Sequence, residues 1–293
     1  MEKINSYINC IAHISSECNL LMGQTHTAVF DCGMAFCANE TIKKIQDALE
    51  GRPLDYIFIT HTHYDHVGAL PFFRKQWPQV RLVTSEIGAA VLQKATPRRV
   101  IREFSEAAAR KYGAVIDPSY NDDAFCAEII VKEDDEIAMG AFTVKIIETP
   151  GHTKDSLSFF IPELEMLIAC ETPGVLLKAG NINPAYFSSY ADTLSSIEKC
   201  RSIPYKRLSL PHRGLTAEKD AAGFFDRAME ANIACYKFIS DLNERGKSEP
   251  EILDLYCQKY RTEDILSSMP KEAYETNAQA IITCALRKIR NNA

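Results

Sequence analysis

The sequence predicts an α/β fold in which two sheets pack face to face with helices outside, a four-layer αββα sandwich, carrying a C-terminal helical appendage. Two observations point to the sandwich and a third to the appendage. Apolar strand-like runs fall into two blocks, one reaching Thr84 and one from Glu128 to Ala169, and helix-like segments accompany the strands of each. Beyond Leu215 the strand signal stops and only helical periodicity continues. Residues 1–215 are therefore expected to form the α/β domain and residues 216–293 a helical extension. Periodicity by itself leaves other α/β arrangements open.

Taken in order, residues 7 to 33 read as two or three short strands, with Gly23-Gln24-Thr25-His26 as the turn before Ala28-Val29-Phe30 and a stop at Asp31-Cys32-Gly33. Asn39 is the expected N-cap of an amphipathic helix over Ile42 to Leu49, closed by Gly51 and Pro53. Tyr56 to Thr60 reads as a strand, Val67 to Trp77 as a helix ended by Pro78, and Val80 to Thr84 as another strand. Helical spacing resumes at Ile87, and Pro97 to Tyr112 sets Val100, Ile101, Phe104, Ala107 and Ala108 on one side of a further helix. The polar stretch Asp117 to Asp123 is either a lid or plain surface. Strands return at Ile129-Ile130-Val131, Phe142 to Ile147, Leu157 to Ile161 and Met166 to Ala169, implying a second sheet. A helix is expected from Asp192, and Ala217 to Asn243, Glu249 to Tyr260 and Lys271 to Ile289 supply the extension.

Of the 293 residues, 46% are hydrophobic and 25% charged, close to globular averages, which argues against disorder and fibrous architectures. The net charge is -6 and Lys and Arg are spread along the chain, so a nucleic-acid partner is disfavoured. MEKINSYINC has no apolar h-region, and no run approaches the ~20 apolar residues of a membrane span. These features predict a cytoplasmic protein with no nucleic-acid partner and no membrane association. Ten cysteines are scattered without a CxxC pair, as expected of reduced thiols in a core.

The chemistry concentrates after Thr60. His61-Thr62-His63-Tyr64-Asp65-His66 places four metal-ligand side chains within six residues. A chance HxHxDH is expected in roughly one of several thousand chains of this length, so the segment is read as a metal site. On an extended loop residues two apart project the same way, so His61 and His63 reach one cation while Asp65 and His66 face a second. A metal pair about 3.5 to 4 Å apart generates a hydroxide near neutral pH and polarises the scissile group, with no Ser or Cys nucleophile needed. Asp65 is assigned a catalytic role beside its ligand role.

At every fixed position this segment resembles the HxHxDH signature of the metallo-β-lactamase-fold superfamily. The resemblance implies the αββα fold, hydrolysis, and two divalent metal ions, zinc before iron or manganese. Gly151-His152-Thr153-Lys154-Asp155-Ser156 looks like that family's GHTxxS turn, which implies that His152 completes the first metal's set. Leu208 to Gly214 resembles its last ligand turn, with His212 joining Asp65 and His66 at the second metal. Cys170-Glu171-Thr172 stands where the family has Gly-Asp-Thr, so Glu171 occupies the bridging position and its extra methylene lets it bridge both metals, bind only one or swing away. Asp31 resembles the family's aspartate that orients metal-binding histidines from behind. Phe187 and Tyr190 are candidates to line a substrate pocket, and Tyr64 to donate to an oxyanion.

The helical tail is similar in placement to that of glyoxalase II-type thioesterases, and HTHYDHVGALPFF is similar to the quinolone-signal response thioesterase branch. Hydrolysis of a thioester or related ester of a small acyl substrate is the leading expectation, with a lactonase or phosphodiesterase as alternative. A regulatory protein that keeps the metals, its tail docking a partner or forming a homodimer, is an alternative of another class. Di-iron redox chemistry is a third, although members of that kind resemble HxExDH and carry a flavin domain, whereas this chain has His63.

Overall fold

The computed structural model describes residues 2–3, 8–13, 16–268 and 271–292; residues 7, 14 and 15 of the first strand block and the side chains of Cys10 and His13 lie outside the described residues. The chain divides into two compact units. The first takes residues 1–148, 155–169 and 205–216, and the second takes 149–154, 170–204 and 217–293.

Two sheets make up the first unit. One has seven strands in sequential order: Glu2–Lys3, Ile8–His13, Ser16–Met22, Thr27–Phe30, Tyr56–Phe58, Arg81–Ser85 and Ile129–Val131. Its last four strands are parallel, in the register Val29↔Ile57↔Leu82. The other sheet has six strands, in which Glu136–Ala138, Thr143–Glu148, Leu157–Ile161 and Met166–Ile168 run antiparallel before Arg207–Leu210 joins in parallel and Gly214–Leu215 closes the edge.

Period-two alternation assigns each strand residue to a layer. Leu20, Val29, Ile57 and Leu82 pack with Ile42, Ile45, Leu70 and Phe73 of the flanking helices. Their neighbours Leu21, Phe30, Phe58 and Val83 turn the other way, onto Val144, Phe159, Ile161 and Met166 of the second sheet. Phe30, Phe58 and Phe159 meet between the sheets with ring centroids 5.1 to 5.4 Å apart. Each buried Phe stabilises the sandwich by about 1.5 to 3 kcal/mol. A buried polar pair also crosses: Asn19 Nδ2 donates to Ser209 Oγ at 3.1 Å.

Local signals misplaced some details. Ile129–Val131, expected in the second sheet, pairs in parallel with Arg81–Ser85 of the first, because sheet membership is set by a partner distant in sequence. Asn39 is not an N-cap; the helix Ala38–Leu49 starts earlier, following the 3-10 turn Ala35–Cys37. The helix expected over Val67 to Trp77 is one turn, Tyr64–Val67, followed by Leu70–Gln76, with Pro71 in the first turn of the second piece, where its missing N–H costs no bond. The stretch 117–123 is tied down by the Arg102–Asp122 ion pair at 3.0 Å and by the Tyr120 ring edge-on to Phe72.

The second unit contains a hairpin of Val175–Leu176 with Ile182–Asn183 and the helices Tyr190–Arg201, Glu218–Ala221, Phe224–Glu244, Glu249–Tyr260, Glu263–Ser268 and Lys271–Asn292. Gly223, at φ 65°, breaks what the periodicity suggests is one helix from Ala217. Its core gathers Tyr186, Tyr190, Cys235, Ile239, Tyr256, Ile281 and Ile282. There the Tyr186 hydroxyl donates to Cys235 Sγ at 3.1 Å, and burial pushes that thiol from its ordinary 9.0 to about 11. Burial also holds the Tyr186 and Tyr256 hydroxyls well above the usual 10.0.

These are acids whose folded pKa is raised, so above pH 9 the unfolded chain releases protons that the folded one keeps. Their stabilising contribution is complete below the unfolded thiol value and is lost as pH climbs toward 11. Thermal melting followed by far-UV circular dichroism at pH 8 and pH 10.5 is expected to show a lower midpoint at the higher pH, by a free energy of roughly 2 kcal/mol at 1.36 kcal/mol per unit. Replacing Cys235 with Ala should shrink that difference.

Candidate metal centre

Parallel strands bring their carboxyl ends to one edge, where open α/β sheets place ligands. Asp31 follows Thr27–Phe30 and His61 follows Tyr56–Phe58 at that edge. Asp31 adopts φ 61°, a left-handed conformation sparse for residues other than glycine and tolerated best by Asn and Asp. From there its carboxylate accepts from the Thr60 N–H, the Thr60 hydroxyl and His66 Nδ1, each at 2.8 Å. Having given its proton to Asp31, the Thr60 hydroxyl accepts from His61 Nδ1 at 3.1 Å. Both imidazoles are thus protonated on Nδ1 and keep the Nε2 lone pair.

Those lone pairs converge within the first unit. His61 Nε2 lies 3.0 Å from His63 Nδ1. His63 precedes the single turn Tyr64–Val67, which sets Asp65 and His66 side by side. His212, at φ 62° beyond the strand Arg207–Leu210, brings its Nε2 to 3.8 Å from Asp65 Oδ2, and His66 Nε2 lies 3.9 Å from the same oxygen. Strained backbone at Asp31 and His212 is of the kind that persists where surrounding structure over-determines a working geometry.

The second unit carries the other two candidates. His152 is 1% exposed; its Nδ1 donates to the Ala185 carbonyl at 2.8 Å, leaving Nε2 to face Glu171 Oε2 at 3.4 Å. Thr172 holds both from behind, donating from Oγ1 to the Thr149 carbonyl at 2.6 Å and accepting from the His152 N–H at 3.2 Å. The Phe187 ring lies 4.7 Å from the His152 ring. Tyr190 is stacked on Tyr236 in the core at 4.1 Å, and burial pushes its hydroxyl to about 12. Tyr64, in the first unit, packs its ring 5.7 Å from Phe104.

The donor set fits divalent metals. It consists of imidazole nitrogens and carboxylate oxygens, suited to zinc, iron or manganese. The His61 Nε2 and His63 Nδ1 ring nitrogens lie 3.0 Å apart, close enough to serve one cation together. The oxygen behind each of His66 and His152 is the arrangement that orients metal-binding imidazoles. A thiolate is not part of it: burial, then the Asp31 charge, hold the Cys32 thiol well above its ordinary pKa.

Sequence reasoning passed over two residues here. Thr60 is the link between Asp31 and His61, and Asp155 accepts from the Thr62 N–H at 2.9 Å, fixing the loop between the two histidines while itself 4% exposed. A carboxylate three residues after His152 was a signal within reach; which backbone N–H it meets, 93 residues away, was not.

The metallo-β-lactamase superfamily model matches residues 15–212, and the chain belongs to that superfamily. Among curated relatives, hydroxyacylglutathione hydrolase of Brucella anthropi is 28% identical over 148 residues, covering 50% of this chain and 42% of that protein. Its counterpart in Bartonella henselae is 26% identical over 166 residues, covering 56% and 51%. The chain thus spans about half the length of the curated relatives it matches.

Among solved structures, a metallo-β-lactamase family protein from Thermus thermophilus superposes with a TM-score of 0.64 at 18% identity, over 98% of this chain and 93% of that one. Rubredoxin oxygen:oxidoreductase from Desulfovibrio gigas does so at 0.57 and 14%, over 86% and 73%. At such identities the likeness is of fold, and the fold hosts more than one chemistry. The expected αββα class with a helical C-terminal region is the fold of this chain. Among the described residues no helix is long and apolar enough to cross a membrane.

Proposed function

We propose that this protein is a cytoplasmic hydrolase of a thioester or related ester of a small acyl substrate, working with two divalent cations. The observation that carries the reading is the set of imidazole rings oriented through Nδ1 by a hydrogen bond from behind, at His61, His66 and His152. In this reading, as the superfamily resemblance implies, His61, His63 and His152 hold one cation, and Asp65, His66, Glu171 and His212 the other. The thioester preference is supported by the relatives named hydroxyacylglutathione hydrolase. When bound, such a pair of cations supplies Lewis acidity and brings the pKa of water toward neutrality.

The chain's own groups do the rest. Asp31 keeps His66 charge-compensated and correctly turned through Nδ1, and Asp155 fixes the backbone between His61 and His63. Asp65, its Oδ2 set between His66 and His212, orients the attacking water and takes its proton. Phe187 covers His152 and gives the site an apolar wall.

The test is a substrate panel with zinc-, iron- or manganese-loaded protein: acyl-glutathione, acyl-CoA, a lactone, a β-lactam and bis(p-nitrophenyl) phosphate. Acyl thioesters are expected to turn over fastest; cleavage of the phosphodiester alone would replace this reading with a phosphodiesterase. Asp31→Asn offers a milder check. Asn tolerates the left-handed backbone and retains the shape, but its NH2 cannot accept, so the negative charge beside His66 and at least one of the three accepted hydrogen bonds are lost. The expected result is metal binding weakened about 10- to 100-fold, measured by chelator competition, beside a modest fall in melting temperature from the broken buried hydrogen bond.

A further inference from the structure

Within the second unit, the turn that carries Glu171 is held by a side chain far along the sequence, Asn232. Asn232 sits in the helix Phe224–Glu244 and is fully buried. Its Nδ2 donates to the Pro173 carbonyl at 2.9 Å and to the carbonyl of Ala228, one turn back in its own helix, at 2.8 Å. Two carbonyl acceptors on one side require the amide NH2 there, and Oδ1 is left buried with no hydrogen-bond partner. A buried carbonyl without a donor is costly, and Asn is a poor residue for a helix interior. An apolar side chain would avoid both costs. What it would not do is donate to the Pro173 carbonyl.

That carbonyl belongs to Glu171-Thr172-Pro173-Gly174, a turn closed by the Gly174 N–H to the Glu171 carbonyl at 2.9 Å and tied at Thr172 Oγ1 to the Thr149 carbonyl at 2.6 Å. Pro173 has no N–H through which to be held, so its carbonyl is the remaining backbone handle. Glutamate has one more rotatable bond than aspartate, and its carboxylate is well placed only when the backbone beneath it is held.

We propose that Asn232 is a positioning residue that holds the Glu171 turn, and thereby makes binding of the cation held by Glu171 depend on the helix Phe224–Glu244. The inference rests on the reading of Glu171 as a metal ligand. An unsatisfied polar atom retained in a buried helix face is then the mark of that task.

The experiment uses the full chain and zinc alone. Wild type, Asn232→Leu and Glu171→Gln are loaded with zinc and dialysed, bound zinc per chain is counted by mass spectrometry, and the weaker zinc affinity is read by chelator competition. Asn232→Leu is expected to keep the tighter zinc and to bind the weaker one about 10- to 100-fold less well, as loss of a supporting hydrogen bond does. Its metal-free melting temperature should stay close to that of wild type, because the unpartnered Oδ1 is gone while the buried Pro173 carbonyl loses its donor. If Asn232→Leu does not fold, Asn232→Ser, a smaller change, is measured in the same way. Wild-type zinc binding in the Asn232 variant alongside a lost zinc in Glu171→Gln overturns the role of Asn232 alone. Two zinc ions held at full affinity by Glu171→Gln overturn the ligand reading and the proposal with it.

Discussion

Asp65→Ala is expected to lower kcat/KM on the best substrate of the panel about a thousandfold. Asp65 Oδ2 lies 3.8 Å from His212 Nε2 and 3.9 Å from His66 Nε2, so its removal leaves two imidazoles without the anion between them. In the proposed reading the change deletes a metal ligand and the acceptor of the water's proton together. Electrostatic help of this kind is worth several kcal/mol at the transition state, and about 4 kcal/mol corresponds to three decades of rate. The fold should survive, because Asp65 is in a single short turn and Asp31 still holds His66. Metal content and melting temperature are measured beside the rate. A variant that loses metal yet retains the cellular role of the protein would favour the regulatory reading over the enzyme.

Gly151→Ala should produce a large loss of stability for a single added methyl. Gly151 has φ 142°, where L residues are strained, and a Cβ there would overlap Thr193 Oγ1 and come within 2.8 Å of both Thr172 Cγ2 and Thr193 Cα. Those are packed atoms rather than flexible ends. Overpacking and backbone strain together amount to about 3 kcal/mol, or roughly 6 to 12 °C in melting temperature. Relief would push Thr172 away from the His152 N–H, so weaker metal binding should accompany the thermal shift. A melting temperature within about a degree of wild type would show that the Gly151 turn relaxes freely and that its packing does not set His152.

Much of the fold could be read from the chain because its signals are local. The short apolar runs of Thr27–Phe30 and Tyr56–Phe58 and the helical spacing in Glu249–Tyr260 need no knowledge of the partner. Ile129–Val131 is the counterexample: three apolar residues announce a strand, but the sheet it joins is chosen by pairing with Arg81–Ser85. Eight of the nine described cysteines are buried, in keeping with thiols used as small core residues.

For the site, the chemical inventory is legible along the chain: four metal-ligand side chains packed into His61 to His66, and an acidic residue, Glu171, in the place where the family carries aspartate. Tertiary structure alone decided which atom of each would be available. Asp31 and Thr60 select Nε2 of His61 and His66, the Ala185 carbonyl does the same for His152, and Asn232 reaches back to the Glu171 turn. The physical reason is that either imidazole nitrogen can carry the proton until a buried hydrogen bond fixes which one does. The partners that do so for His66 and His152 lie 35 and 33 residues away, where neither spacing nor periodicity extends.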